Sequence, residues 1–402
     1  MLTLAQMRLL RLCALALVGS LVLLAAGCGG RVTDWQLDGL GGSLSEIQRG
    51  ARQEGRVDLL VRRGFTVPSW TRAFTEQTGC VVTAQTATST GDLVERSASG
   101  GWDGVLAMSD VTRRLIDEGD VAPVNPGLVP GYAYVYDSLR RQPFDTVEKT
   151  GYGVPQGRVP NLEVFRTDLL PAGLDSSEPI WLAYFKRSRS IYDDPIFIAD
   201  AAVYLAATRP GLHITNPYEL DERQFPAVVA FLRRYRPTPA ELWTAATVGK
   251  QLAAFSTGQA AIGTSWPRQV RILETADPPV PVTAIEPKEG LTGWADTWMI
   301  SAHADHPNCA YLWFDYVISP EANAKIAERF DEAPANASAC ELVSDDTLCS
   351  ELHADDEEWW SNVHLWTTPE KDCGDARGDV CKTYDDWRSA WTQILTKARP
   401  TS

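Results

Sequence analysis

The chain reads as an α/β protein of two or three domains, on three observations. Short apolar runs alternate with helix-length amphipathic runs from Leu44 to Gly119. Gly55, Gly64, Gly79 and Gly119 stand at the breaks between them. A stretch with four prolines over 277–287 marks a crossing between units. At 402 residues and 44% hydrophobic content, the chain is long enough for more than one true core.

In order, Ser43 and Glu46 have capping-box spacing and predict a helix over 44–53. Val57 to Val61 is apolar except for Asp58 and predicts a strand that breaks at Arg62-Arg63-Gly64. Pro68 opens a helix that Gly79 ends, and 80–83 is the next strand. Residues 105–108 and 112–118 repeat the strand–helix order. In such sheets ligands sit at the carboxyl ends of strands, which makes Arg62, Arg63, Ser109 and Asp110 candidate site residues. Residues 152–155 read as a strand leaving this unit. Beyond it come a strand within 190–198, helices over 199–208 and 222–235, and an amphipathic run over 242–256. A turn and strand over 258–265 end on Trp266-Pro267, and helices follow over 307–318 and 320–330.

Residues 1–27 carry only Arg8 and Arg11 as charges ahead of an apolar run that is too short to span a bilayer, as in a secretion signal. Leu24-Ala25-Ala26-Gly27-Cys28 resembles a bacterial lipobox, with Ala25 where that motif has Leu, Val or Ile. Lipidation at Cys28 is expected, with 28–43 as a tether to the membrane. The six remaining cysteines are even in number, as expected of disulfides in an exported protein, though six allow fifteen pairings. Loop length favours Cys340–Cys349 and Cys373–Cys381, which leaves Cys80–Cys309. Zinc is not expected, since no Cys-x-x-Cys occurs.

A net charge of −15 disfavours nucleic acid as a partner. The chain has no Walker loop, no Gly-x-Gly-x-x-Gly after a strand and no Gly-x-Ser-x-Gly elbow, so neither an enzyme nor a cofactor is expected. Asp193-Asp194 before Pro195 reads as a turn, and His303 and His306 as a helix start facing solvent. The run Gly293 to Ile300 is of more interest. If it is extended, Trp294, Asp296 and Trp298 share a face, and indole plus carboxylate suits a cation.

Several of these pieces, in their order and spacing, resemble the periplasmic spermidine/putrescine-binding proteins, the polyamine branch of the type II solute-binding proteins of ABC importers. They are Phe74-Thr75-Glu76-Gln77-Thr78-Gly79, Trp102-Asp103-Gly104-Val105, Tyr152-Gly153-Val154-Pro155, Ile262-Gly263-Thr264-Ser265-Trp266, Pro287-Lys288-Glu289-Gly290 and Glu332-Ala333-Pro334-Ala335-Asn336. The resemblance implies a periplasmic-binding-protein type II fold, two α/β lobes with a ligand cleft between them. Lobe 1 would take 44–153 and 289–347, lobe 2 would take 154–288, and 348–402 would form a helical part returning toward lobe 2.

Trp266, Trp294 and Asp296 match the family's cage residue for residue, whereas Trp298 is not carried over. Other positions depart. Arg62-Arg63-Gly64 stands where the family has Trp-Thr-Glu, Asp200 is what remains of an acidic pair, Glu332 replaces a tyrosine, and Thr367 falls near a glutamine. Arg158 is expected as a third arginine at the cleft. These changes suggest a ligand with an amine at the Trp294/Asp296 end and an acid at the Arg62/Arg158 end. The function implied is that of a monomeric, lipid-anchored receptor that delivers an amine-bearing solute to a permease and its ATPase. The alternative is a surface lipoprotein that uses the fold for sensing or adhesion.

Overall fold

A computed structural model describes residues 38–182 and 188–396. The secretion signal, Cys28 and the tether up to residue 37 lie outside the described residues. In chain order the strands are β1 (Arg56–Arg62), β2 (Val81–Ala87), β3 (Gly104–Met108), β4 (Val121–Ala122), β5 (Thr146–Val147), β6 (Thr150–Gly151) and β7 (Val154–Pro160). They continue as β8 (Leu162–Arg166), β9 (Ser188–Tyr192), β10 (Leu242–Trp243), β11 (Ala260–Ser265), β12 (Val282–Ile285), β13 (Leu291–Ser301), β14 (Ala333–Pro334) and β15 (Val363–Leu365).

Two sheets organise the molecule. The larger runs β14-β7-β13-β3-β1-β2, with β4 and β15 also paired to β13; the smaller runs β10-β9-β11-β8-β12. β1 lies parallel to β2 and β3, while β13 runs antiparallel to β3 and β7. The central strands are apolar on both faces, as strands covered on two sides must be. Leu59, Val61, Leu106 and Trp298 enter one core, and Leu60, Val105, Ala107 and Met299 the other.

The chain passes between the sheets three times: at Asn161 between β7 and β8, over 286–290 between β12 and β13, and at Trp366 after β15. The first passage falls later than the expected 153/154 boundary. Val154-Pro155 continues through Gln156-Gly157-Arg158 as a fully buried strand, although that tripeptide looks like a turn in sequence. The third also falls later than 347/348, because β15 pairs with β13 before the chain leaves for the helix Tyr384–Thr396.

Local signals set the elements that carry the site. The capping box holds, with Ser43 N–H donating to Glu46 Oε2 at 2.7 Å, and the helix Leu44–Glu54 ends at Gly55 with φ 68°. The helix Ser109–Asp117 begins three residues before the expected start, because β3 runs into it directly through the extended residue Met108. Ser109 and Asp110 therefore form its first turn, at the carboxyl end of a central strand.

All three expected disulfides form, with Cα–Cα distances of 6.0 Å for Cys80–Cys309, 5.9 Å for Cys340–Cys349 and 5.3 Å for Cys373–Cys381. Trp298 is core: its ring meets Trp313 edge-on at 5.6 Å, and its N–H donates to Gln156 Oε1 at 2.8 Å. His306 does not face solvent freely, since its backbone N–H donates to Asp103 Oδ1 at 2.8 Å and its Nδ1 lies 2.9 Å from Asp103 Oδ2. No helix among the described residues is long and apolar enough to cross a membrane.

Candidate ligand-binding site

Three groups from the larger sheet converge. β3 lies between β1 and β13, and Asp296 stands in register with Met108 at its end. This lets Arg62, at the end of β1, reach Asp296, with Nη2 2.5 Å from Oδ2. Asp296 is 2% exposed and its Oδ1 has no partner among the described residues. Burial raises its pKa, and the Arg62 charge opposes the rise. Glu332 is also buried and accepts from Gln156 Nε2 at 3.1 Å. Burial, then the charge of Asp296, holds its pKa well above the ordinary carboxyl range. A Cβ on Gly157 would lie 2.8 Å from Glu332 Oε1, so only glycine allows that approach.

Asp110 is 1% exposed, and its Oδ1 has no partner among the described residues. Burial and then Asp194 push its pKa up to about 7. Asp194 belongs to the smaller-sheet lobe, where it follows β9. It caps a turn by accepting from Ile196 N–H at 3.0 Å, as the sequence reading has it, yet it also faces Asp110. Burial raises its own pKa to about 6, with neighbouring Asp193 adding to the effect. Tyr192 completes this corner: burial, Asp194 and then Asp110 keep its hydroxyl protonated far above its ordinary range.

Aromatic rings form the rest. Trp294 meets Trp266 edge-on at 5.0 Å and stacks on Trp366 at 5.1 Å. Tyr192 lies 5.3 Å from Trp266 and 6.1 Å from Trp366, and Trp243 packs 5.1 Å from both Tyr192 and Trp266. Trp294 comes from β13, Trp266 follows β11, and Trp366 lies in the third passage, so the cluster bridges both sheets. Clustered carboxylates beside π faces suit a cationic ligand.

The expected residues divide. Trp266, Trp294, Asp296, Arg62 and Asp110 are brought together, and Ser109 supports them by accepting the Ala295 N–H at 3.3 Å. Arg63 is exposed. Arg158 does not approach the cleft. It is fully buried under the C-terminal segment, where Ser138 Oγ at 2.6 Å, Ala354 O at 3.1 Å and Glu357 Oε1 at 3.1 Å hold it over the Trp360 ring. Asp200 accepts from Thr292 Oγ1 at 2.9 Å beside the lobe crossings. Thr367 donates to Leu365 O at 3.3 Å. Sequence reasoning missed Tyr192, Trp243, Asp194 and Trp366. Only Asp194 carried a signal, as an acid at the end of an expected strand.

Two α/β lobes with a charged, aromatic site where they meet define a solute-binding protein. The family model of bacterial extracellular solute-binding proteins matches residues 69–365, and the chain belongs to that family. Membership assigns it the capture of a solute, not catalysis. The spermidine/putrescine-binding periplasmic protein of Salmonella typhimurium is 21% identical over 288 residues, covering 70% of this chain and 77% of the relative. Among solved structures, the spermidine/putrescine ABC transporter substrate-binding protein of Streptococcus pneumoniae superposes with a TM-score of 0.66 at 16% identity, covering 84% of this chain and 97% of that one. A lipoprotein of Treponema pallidum superposes with a TM-score of 0.65 at 13% identity, covering 85% and 100%.

Proposed function

We propose that this protein captures a small amine-bearing solute in the cleft and delivers it to the permease and ATPase of an ABC importer, working as a monomer held to the membrane by a lipid on Cys28. One observation carries the ligand class: the buried Oδ1 of Asp110, without a partner among the described residues, stands beside Asp194 and a cluster of aromatic rings. An ammonium entering there would donate charge-assisted hydrogen bonds to acids that otherwise repel each other. The names of the relatives point the same way. A ligand carrying an acid as well as an amine is the second reading, but not with the two separate ends expected: Arg158 lies elsewhere and Arg62 pairs with Asp296, so acid and amine would meet at one ion pair, where Arg62 Nε has no partner among the described residues.

A thermal-shift and calorimetric screen of putrescine, spermidine, agmatine, γ-aminobutyrate and aminoalkyl phosphonates tests the proposal. An amine is expected to raise Tm in the wild type and not in Asp110→Asn. Binding of uncharged or purely anionic solutes alone would overturn it.

A further inference from the structure

Three hydrogen bonds lead from the aromatic cluster into the lobe crossings. Trp266 Nε1 donates to Asn161 Oδ1 at 2.9 Å, Asn161 Nδ2 donates to Thr292 Oγ1 at 2.7 Å, and Thr292 Oγ1 donates to Asp200 Oδ1 at 2.9 Å. With Asp200 ionised, their polarity has one consistent solution. An indole N–H can only donate, so the oxygen of the Asn161 amide must face it and the NH₂ must face Thr292. The Thr292 hydroxyl, accepting there, sends its single proton to the Asp200 carboxylate.

The chain's position gives this relay a use. Asn161 is the residue of the first passage, and Thr292 stands near the start of β13, just past the second. The Asn161 N–H also donates to Thr292 O at 2.8 Å, so side chain and backbone together stitch the two passages. Trp266 belongs to one lobe, and the Trp294 ring that it meets at 5.0 Å and 68° belongs to the other.

We infer that Asn161 is a positioning residue: it fixes the Trp266 ring to the crossing strands, so that the ring keeps its angle to Trp294 while the lobes move. Asp200 is then the acceptor that orients the relay and not a ligand contact. The inference rests on the reading of Trp266 as part of the ligand site, and the test separates the two.

The full chain, labelled with ¹⁵N tryptophan, gives fourteen indole resonances, and Trp266→Phe identifies that of Trp266. Asn161→Ala is expected to shift this resonance upfield, to speed its hydrogen exchange at least tenfold and to weaken putrescine binding roughly tenfold, the worth of one hydrogen bond to a buried donor. Asn161→Asp keeps the acceptor oxygen that faces Trp266 and is expected to retain slow exchange of that indole; because it adds a charge beside Asp200, exchange and not affinity is its readout. Thr292→Ser, which keeps the hydroxyl that accepts from Asn161 and donates to Asp200, serves as a folding control. An unchanged Trp266 resonance and exchange rate in Asn161→Ala overturn the inference whether or not putrescine binds. If the resonance responds but Trp266→Ala leaves putrescine affinity unchanged, the site reading fails and the placement of the ring by Asn161 stands.

Discussion

Arg62 reaches past β3 to lie 2.5 Å from Asp296, so the cleft carries its own cation beside the carboxylate that an incoming amine would seek. Arg62→Ala is therefore expected to act in opposite directions on stability and on ligand choice. Leaving Asp296 buried without its partner should cost about 1–3 kcal/mol, read by urea unfolding. Diamine affinity should rise and γ-aminobutyrate affinity should fall, read by calorimetry. Parallel changes in the two ligands would mean that Arg62 does not discriminate between them.

Asp110 gives binding a pH dependence. Its pKa of about 7 means that roughly half the carboxyls carry a proton at neutrality, and an ammonium requires the ionised form. Amine affinity is expected to weaken by roughly tenfold from pH 7.5 to pH 6, since each unit below the pKa costs about a factor of ten. Asp110→Asn should lose both the affinity and the slope.

Glu163 contributes to stability with the opposite sense of pH, in company with other buried acids such as Asp145 and Asp200 whose pKa burial raises to about 7. Glu163 is 9% exposed on β8, its Oε2 has no partner among the described residues, and burial pushes its pKa up to about 8, with the charges of Asp200 and Glu289 adding to the rise. The folded state thus binds a proton that the unfolded state releases near pH 4.5. The contribution is fully present below that unfolded value and is lost as pH rises through 8. Tm should fall between pH 6 and pH 8.5, and Glu163→Gln should flatten that part of the curve.

The Cys80–Cys309 bridge is fully buried and ties the start of β2 to the helix Pro307–Val317 across 229 residues. Replacing both cysteines by alanine should cost about 2–5 kcal/mol, read by denaturant unfolding. The other two bridges close loops of 9 and 8 residues and should cost less.

How much of this was legible depended on the distance over which each residue finds its partners. Trp294 and Asp296 could be read because a strand's period of two puts them on one side. The short disulfide loops were legible because chain separation alone favours them. Arg158 was misplaced because Ala354, Glu357 and Trp360 bury it from almost two hundred residues away. Nothing near Gln156-Gly157-Arg158 signals that cover. Asp194 was read correctly as a turn residue, but one of its oxygens capping a turn leaves the rest of the carboxylate free to face Asp110. β8 escaped notice because Glu163 and Arg166 put buried charges into a five-residue strand. Trp366 could not be placed without knowing that β15 joins the larger sheet.

The third passage, at Trp366, bears on what kind of motion the lobes can make. Two neighbouring strands leave a pair of bodies free to twist about the strand axis as well as to bend across it. A third connection set beside them in a row, with the Trp366 N–H donating to Gly293 O at 2.6 Å and the Asn161 N–H to Thr292 O at 2.8 Å, removes most of the twist, because pivots in a row leave rotation about that row alone. Opening is thereby reduced to a swing about a single axis, and the open molecule samples few orientations. Because the third connection also carries Trp366, which stacks on Trp294 at 5.1 Å, lobe opening is expected to disturb that ring contact, coupling solute release to lobe separation.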